Sequence, residues 1–218
     1  MQGRTEGDTR SAILAAARHV FAERGLSGAS MREVAEAARI NNAMIYYHFK
    51  DKDHLYRSVL NDSFAAMNEI WNDPLFASEA PVQRQIEKYV ECFIRFQQNN
   101  EELHRIMAMD FAGSGGKITW ICENYFTDNF TRLADLFRKG MKNGELVRCD
   151  SSIAVSSIIG MIVHNFIMQP MAEHVYGKRV DLSPKKFGAF VTGLFFNGLS
   201  SPKSADRRKP RTKRIAAS

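Results

Sequence analysis

The chain has 218 residues, 44% of them hydrophobic and 25% charged, enough to bury one large core or two smaller ones. Its longest apolar runs, such as residues 158–163, fall far short of a membrane span. The polar, mixed-charge opening Met1-Gln2-Gly3-Arg4-Thr5-Glu6 lacks the apolar stretch of a secretory signal, so a cytoplasmic protein with no membrane partner is expected. The net charge of +6 sits in residues 201–218, where seven basic residues face one acid while the first 200 residues balance; charge alone therefore says only that the tail adheres to polyanions.

Taken in chain order, Ile13, Leu14, Ala17, Val20 and Phe21 recur at three- and four-residue steps, the period of an amphipathic helix, which Gly25 closes. Ser30 stands three residues before Glu33, a capping-box spacing, and opens a short helix carrying Met31, Val34, Ala35 and Ala38 on one side. A break at Arg39-Ile40-Asn41 leads into a helix over 42–49, and Asp51 can cap a longer one over 52–71. After Asp73-Pro74 and a loop through Pro81, helices are predicted over 82–98, 101–110, 117–142, 151–174 and 184–197, with Pro170 bending or ending the penultimate one. No strand pattern and no repeat is present, which makes the chain all-α with about nine helices. Residues 201–218, rich in charge and poor in large apolar groups, read as a disordered basic tail.

Cys92, Cys122 and Cys149 are an odd number without a Cys-x-x-Cys pair, which argues against a disulfide framework or a zinc site and for reduced thiols. No His, Asp, Glu and Cys group has metal-ligand spacing, and no nucleophile and base are arranged for catalysis, so neither metal, cofactor nor enzymatic residue is expected. Gly113-Ser114-Gly115-Gly116-Lys117-Ile118-Thr119 lacks the phosphate-loop register and a preceding strand; it reads as an inter-helix loop.

A helix, a tight turn and a second short helix braced by a preceding one is the geometry that lays a recognition helix in the major groove. The detailed residues narrow this further. Ser30-Met31-Arg32-Glu33-Val34-Ala35-Glu36-Ala37-Ala38 followed by Ile45-Tyr46-Tyr47-His48-Phe49-Lys50-Asp51-Lys52 closely resembles the helix-turn-helix of the TetR family. The resemblance is strong over residues 11–60. Beyond them, Asn143-Gly144-Glu145-Leu146 with Asp150, and Leu194-Phe195-Phe196-Asn197-Gly198-Leu199, are weaker echoes of the family's later segments. Two departures stand out: Arg39 occupies a turn position where the family commonly has Gly, and Asn41-Asn42-Ala43-Met44 lacks the Lys and Thr often seen there.

The resemblance implies a helix-turn-helix DNA-binding domain over residues 1–52, a linking helix over 52–72, and a helical ligand-sensing and dimerisation domain within 53–200. Within the recognition helix, Asn41 and Asn42 can pair bidentately with adenine, and Ala43 or Met44 can pack against a thymine methyl, which predicts an A/T-leaning half-site. Tyr47, His48 and Lys52 match the family's phosphate contacts, helped by Ser30 and Arg32. Arg4 and Arg10 could supply a minor-groove arm. Tyr46 and Phe49 are expected in the core.

The remainder carries an aromatic and Met load suited to packing or to an adaptable apolar cavity. Met67, Trp71, Phe96, Met107, Phe111, Trp120, Tyr125, Phe126, His164 and Met168 are the candidate ligand contacts, with His104 and Asn165 as further polar groups. A satisfied core or interface role is the competing reading of His164. The resemblance further implies a homodimer, joined through residues 154–168 and 187–196, that holds two recognition helices at the spacing of a pseudo-palindromic operator. A small, mostly apolar effector would change that spacing and release the DNA. The alternatives are a DNA-binding regulator without a small-molecule ligand, and a helical-bundle carrier or enzyme.

Overall fold

The computed structural model describes residues 6–112 and 116–199, and of these every regular element is helical. The basic tail, Arg4 and the glycines at 113 and 115 lie outside the described residues. The chain clusters into two compact units, one formed by Met1–Asn72 with Arg95–Asp128 and the other by Asp73–Ile94 with Asn129–Ser218.

In the first unit, α1 (Glu6–Gly28) buries Ile13, Leu14, Ala17, Val20 and Phe21, the residues whose spacing marked the helix. It packs against α2 (Met31–Ala38), α4 (Lys52–Asn68) and α6 (Glu101–Ala112). Gly25, at φ 64° and ψ 174°, breaks the helical path, and one further turn follows it. Met109 of α6 lies 3.2 Å from where a Cβ on Gly25 would stand, so glycine also permits this close approach. Polar groups add direction to the packing: Arg18 pairs with Asp62 of α4, His19 Nδ1 meets Glu102 at 3.0 Å, and the Tyr56 hydroxyl donates to Asp110 of α6. Burial and the neighbouring Asp110 carboxylate push the Tyr56 phenol above its ordinary range. The fourth helix ends at Asn68, and the expected last turn is a 3₁₀ turn over Glu69–Asn72.

The helix predicted over 117–142 is interrupted. α7 (Gly116–Ile121) passes into a π turn over Cys122–Phe126 and then α8 (Thr127–Lys142). The Thr127 backbone N–H and its hydroxyl both donate to the Cys122 carbonyl, the hydroxyl at 3.0 Å, which stabilises the wider i to i+5 turn.

In the second unit, α5 (Val82–Gln98) contributes Val82, Ile86, Tyr89, Val90, Phe93 and Ile94, spaced on one face and buried. Tyr89 is wholly enclosed, and its hydroxyl accepts from Asn129 Nδ2 at 2.8 Å, which relieves the cost of burying both groups. Desolvation holds the Tyr89 phenol above its ordinary range. α9 (Ser151–Ile167), capped by Asp150, and α11 (Ala189–Leu199) complete the core with Ile158, Ile162, Val191 and Phe196. The helix predicted over 151–174 breaks at Met168 (φ −85°, ψ 0°), and α10 (Gln169–Tyr176) departs at 59°. Pro170 accounts for the position of the break: it has no N–H to return to the preceding turn, and it fits the start of a new helix. Among the described residues no single helix is long and apolar enough to cross a membrane.

α8 ends at a close approach. Glu145 and Leu146 donate their backbone N–H groups to the Gly140 carbonyl at 2.9 and 3.1 Å, and a Cβ on Gly140 would lie 2.7 Å from Leu146 Cδ1 and 3.1 Å from Val82 Cγ1. Both neighbours are buried and have little room to yield. Gly140→Ala is expected to destabilise the protein by about 1–3 kcal/mol through overpacking, measured by urea unfolding; an unchanged midpoint would show that Leu146 moves aside freely.

Candidate nucleic-acid interface

The turn between α2 and α3 (Asn42–His48) is built from the end of α2 outward. Arg39 adopts the left-handed conformation at φ 55° and ψ 48°, the only described non-glycine residue with positive φ. Around it Arg39 N–H donates to Glu36 O at 3.1 Å and Ile40 N–H to Ala35 O at 3.0 Å, the paired bonds of a Schellman closure. The capping box at the other end of α2 is complete: Ser30 Oγ accepts from Glu33 N–H at 3.2 Å, and Glu33 Oε2 accepts from Ser30 N–H at 2.9 Å. The Ser30 hydroxyl, its backbone N–H and the nearby Arg24 and Arg32 hold the Glu33 carboxyl below its ordinary range.

Ile45 and Phe49, one helical turn apart, are buried and anchor α3, leaving Asn42, Ala43, Met44, Tyr46 and Tyr47 exposed. Tyr46 is 52% exposed, which corrects its expected place in the core. The reason is helical phase: it sits about 100° around the helix from Ile45, away from the face that Ile45 and Phe49 share. Tyr47 is 70% exposed, with its hydroxyl 3.4 Å from Glu6 Oε1. His48 is half-buried, and its Nε2 has no hydrogen-bond partner among the described residues.

Several of the expected contact residues also have work within the fold. Asn41 caps α3, its Oδ1 accepting from Ala43 N–H at 2.9 Å, which leaves its NH₂ as the free donor. Ser30 is engaged in the capping box, and Arg32, fully outward, pairs with Glu36 at 3.2 Å. Lys52 Nζ donates to Ala29 O at 2.9 Å, fastening the start of α4 to the loop before α2. Asn42 has no side-chain hydrogen bond among the described residues. Arg10 lies within α1, over the Phe49 ring at 5.5 Å, a cation–π contact that spacing could not reveal.

A second concentration of chemistry lies in the same unit. Phe64 stacks on Tyr125 with centroids 4.5 Å apart and on Phe96 at 6.1 Å, and meets Phe126 edge-on at 5.4 Å. The Tyr125 hydroxyl donates to Asn61 Oδ1 at 2.6 Å, and Arg57 lies over Trp120 at 4.8 Å. Burial pushes the Tyr125 phenol up to about 12, against the opposing pull of Arg57, so it stays a donor at neutral pH. Arg57 and Asn61 were not among the expected contacts; their i, i+4 spacing on α4, in line with Phe64, was the available signal. Met67 and Met107 are buried, Trp71 is half-buried and Phe111 is 55% exposed. His104 Nε2 lies 2.8 Å from Gln97 Oε1, and burial lowers its proton affinity against the pull of Glu101. His164 and Asn165 are exposed on α9, and Met168 is half-buried at its end.

Residues 13–59 match the family model described as "Bacterial regulatory proteins, tetR family". Over these residues the chain is similar to the DNA-binding module of that family. The TetR-type segment is 39% identical over 61 residues to the transcriptional repressor NicS of Pseudomonas putida, covering 28% of this chain and 29% of NicS. It is 38% identical over 63 residues to the repressor BepR of Brucella suis, covering 29% of this chain and 30% of BepR. The chain thus spans less than a third of the length of these relatives. A longer match, 24% identical over 174 residues, covers 77% of this chain and 78% of the regulator RutR of Escherichia coli. Likeness of fold extends over nearly the whole chain: the fatty acid degradation regulator FadR from Bacillus halodurans superposes with TM-score 0.71 at 18% identity, covering 89% of this chain and 98% of that one. FadR from Bacillus subtilis, solved in complex with stearoyl-CoA, superposes with TM-score 0.70 at 18% identity, covering 86% and 98%.

The left-handed Arg39 is a measurable cost in this helix-turn-helix. Arg39→Gly should raise stability by about 0.5–1 kcal/mol, the relief of the left-handed penalty less glycine's greater unfolded-state freedom, and lift Tm by about 1–4 °C. A lower Tm would mean that the Arg39 side chain contributes to the fold. Asn41→Ala should lose about 1 kcal/mol with the α3 cap, whereas Asn41→Asp should keep it; equal losses in thermal unfolding would show that the cap is not what Asn41 supplies.

Proposed function

We propose that the protein is a dimeric, sequence-specific DNA-binding transcriptional repressor, acting in the cytoplasm and released from its operator by a small, mostly apolar effector. The observation that carries this reading is α3: Ile45 and Phe49 hold it down while Asn42, Ala43, Met44 and Tyr47 stand exposed along it. Such a helix reads base edges in the major groove, Asn42 and the free NH₂ of Asn41 toward adenine and Ala43 or Met44 toward a thymine methyl. Tyr47, His48, Lys52, Ser30 and Arg32 surround it as phosphate contacts. They position the protein without carrying sequence information.

The dimer is supported by the outer face of the second unit. Ile153, Phe190 and Leu194 are large, apolar and each more than half exposed on α9 and α11, a combination that favours burial against a second copy. The effector is supported by the Phe64, Phe96, Tyr125 and Phe126 cluster, apolar apart from the Tyr125 hydroxyl, Asn61 and Arg57, and by the stearoyl-CoA complex of a protein with the same fold.

Selection of bound sequences from random duplex DNA, at fixed near-physiological salt, should recover an A/T-leaning inverted repeat. Unpatterned DNA from ligand-stripped protein would defeat the regulator reading. On the recovered site, Asn42→Ala should lose about 1–3 kcal/mol of binding free energy while leaving non-specific binding nearly intact. Equal losses on both DNAs would reduce Asn42 to scaffold.

A further inference from the structure

Arg39 holds a backbone conformation that an arginine adopts only against its steric preference. The turn between α2 and α3 closes through a left-handed residue, and glycine meets that need without a Cβ clash. An arginine there calls for a compensating interaction of its side chain, and strained positions of this kind concentrate at functional sites. Within the chain no such interaction is made: the Arg39 side chain is exposed and has no ion pair, side-chain hydrogen bond or ring contact among the described residues.

The other described arginines up to residue 57 are engaged. Arg10 lies over Phe49, Arg18 pairs with Asp62, Arg24 with Glu33 at 2.7 Å, Arg32 with Glu36 at 3.2 Å, and Arg57 lies over Trp120. Arg39 is therefore the guanidinium of this segment left open to a partner outside the chain. It stands two residues before Asn41, next to a helix that offers amide, apolar and aromatic groups and no Lys or Arg over residues 42–48. A helix so composed suits base edges and carries no fixed positive charge toward the strands that flank a groove. The planar guanidinium supplies that charge, with paired donors that match the spacing of phosphate oxygens. Its place in the turn, off α3 itself, sets it apart from the side chains that face base edges.

We infer that Arg39 contacts a DNA backbone phosphate beside α3, and that this contact is what offsets its left-handed strain. The inference rests on the DNA-binding reading above and adds to it a residue outside the recognition helix. Fold and function then make opposite demands at this position: the residue that suits the turn best, glycine, is one that cannot hold the phosphate.

The test is fluorescence anisotropy of the full chain and its R39G, R39Q and R39K variants, on the selected inverted repeat and on random duplex DNA, over a series of salt concentrations. R39G should melt at a higher temperature than the wild type yet bind both DNAs about tenfold more weakly at low salt. The slope of log affinity against log salt should become shallower by about 1 per half-site. R39Q, which keeps a polar side chain on the same backbone, should lose as much affinity, whereas R39K should keep the wild-type slope. The difference in slope isolates residue 39, because every variant carries the same basic residues over 201–218. Unchanged affinity and slope in R39G and R39Q, with N42A still losing the inverted repeat, would overturn the phosphate contact and keep the regulator reading. A loss confined to the inverted repeat, with altered preference at one base pair, would make Arg39 a base reader instead. A lower Tm in R39G and R39Q with the slope unchanged would assign the side chain to the fold and sink the contact. Wild-type protein that recovers no patterned DNA would overturn the regulator reading itself, and the contact with it.

Discussion

The two buried side chains Ile45 and Phe49 are the constraint from which the presentation of α3 follows. Placed one helical turn apart, they fix both the depth and the rotation of a helix only seven residues long. A helix of that length has little intrinsic stability, so its orientation comes from these anchors, the Asn41 cap and the closed turn at Arg39. The exposed surface of α3 is what remains once those demands are met: Asn42, Ala43, Met44 and Tyr47 are exposed because they occupy the other phases of the helix.

α4 connects this surface to the rest of its unit. It begins at the Asp51 cap, two residues after Phe49, and its Lys52 reaches back to the Ala29 carbonyl. Further along the same helix Arg57, Asn61 and Phe64 meet Trp120, Tyr125 and Phe126, residues on or beside the π turn. A molecule that displaced these rings would act on the helix whose His54 ring lies 5.7 Å from that of Phe49, an anchor of α3, giving the proposed effector response a route inside one unit. The π turn matters here because its wider backbone circuit changes which residues after Ile121 face α4.

Much of the fold was legible because it rests on periodicity and punctuation. The 3.6-residue spacing in α1 and α5, the Ser30–Glu33 box, the Asp51 cap and the Asp150 cap are local relations, and each appears as expected. Arg39 was legible as a strained position for the same reason, since a helix-to-helix turn of that length requires a left-handed residue. The departures from local pattern have a common cause. The aromatic character of Tyr46 points inward, although phase places it outward; the spacing over 117–142 is that of a regular helix, because a π turn depends on one hydroxyl and one shifted carbonyl; and the spacing of Arg57 and Asn61 does not name their partners, which are more than sixty residues away.

The sequence by itself determined the all-helical class, the helix-turn-helix and the residues that read as a recognition helix, since these follow from short-range spacing, capping and backbone preference. Only the tertiary structure decided which groups are free for a partner. Asn41 is partly spent on a cap, Ser30 on a capping box and Lys52 on a carbonyl, while Asn42 is left open and α10 is left uncovered. Burial and hydrogen-bond partnership are properties of what packs alongside a residue, and no local pattern along a chain specifies its neighbours in space.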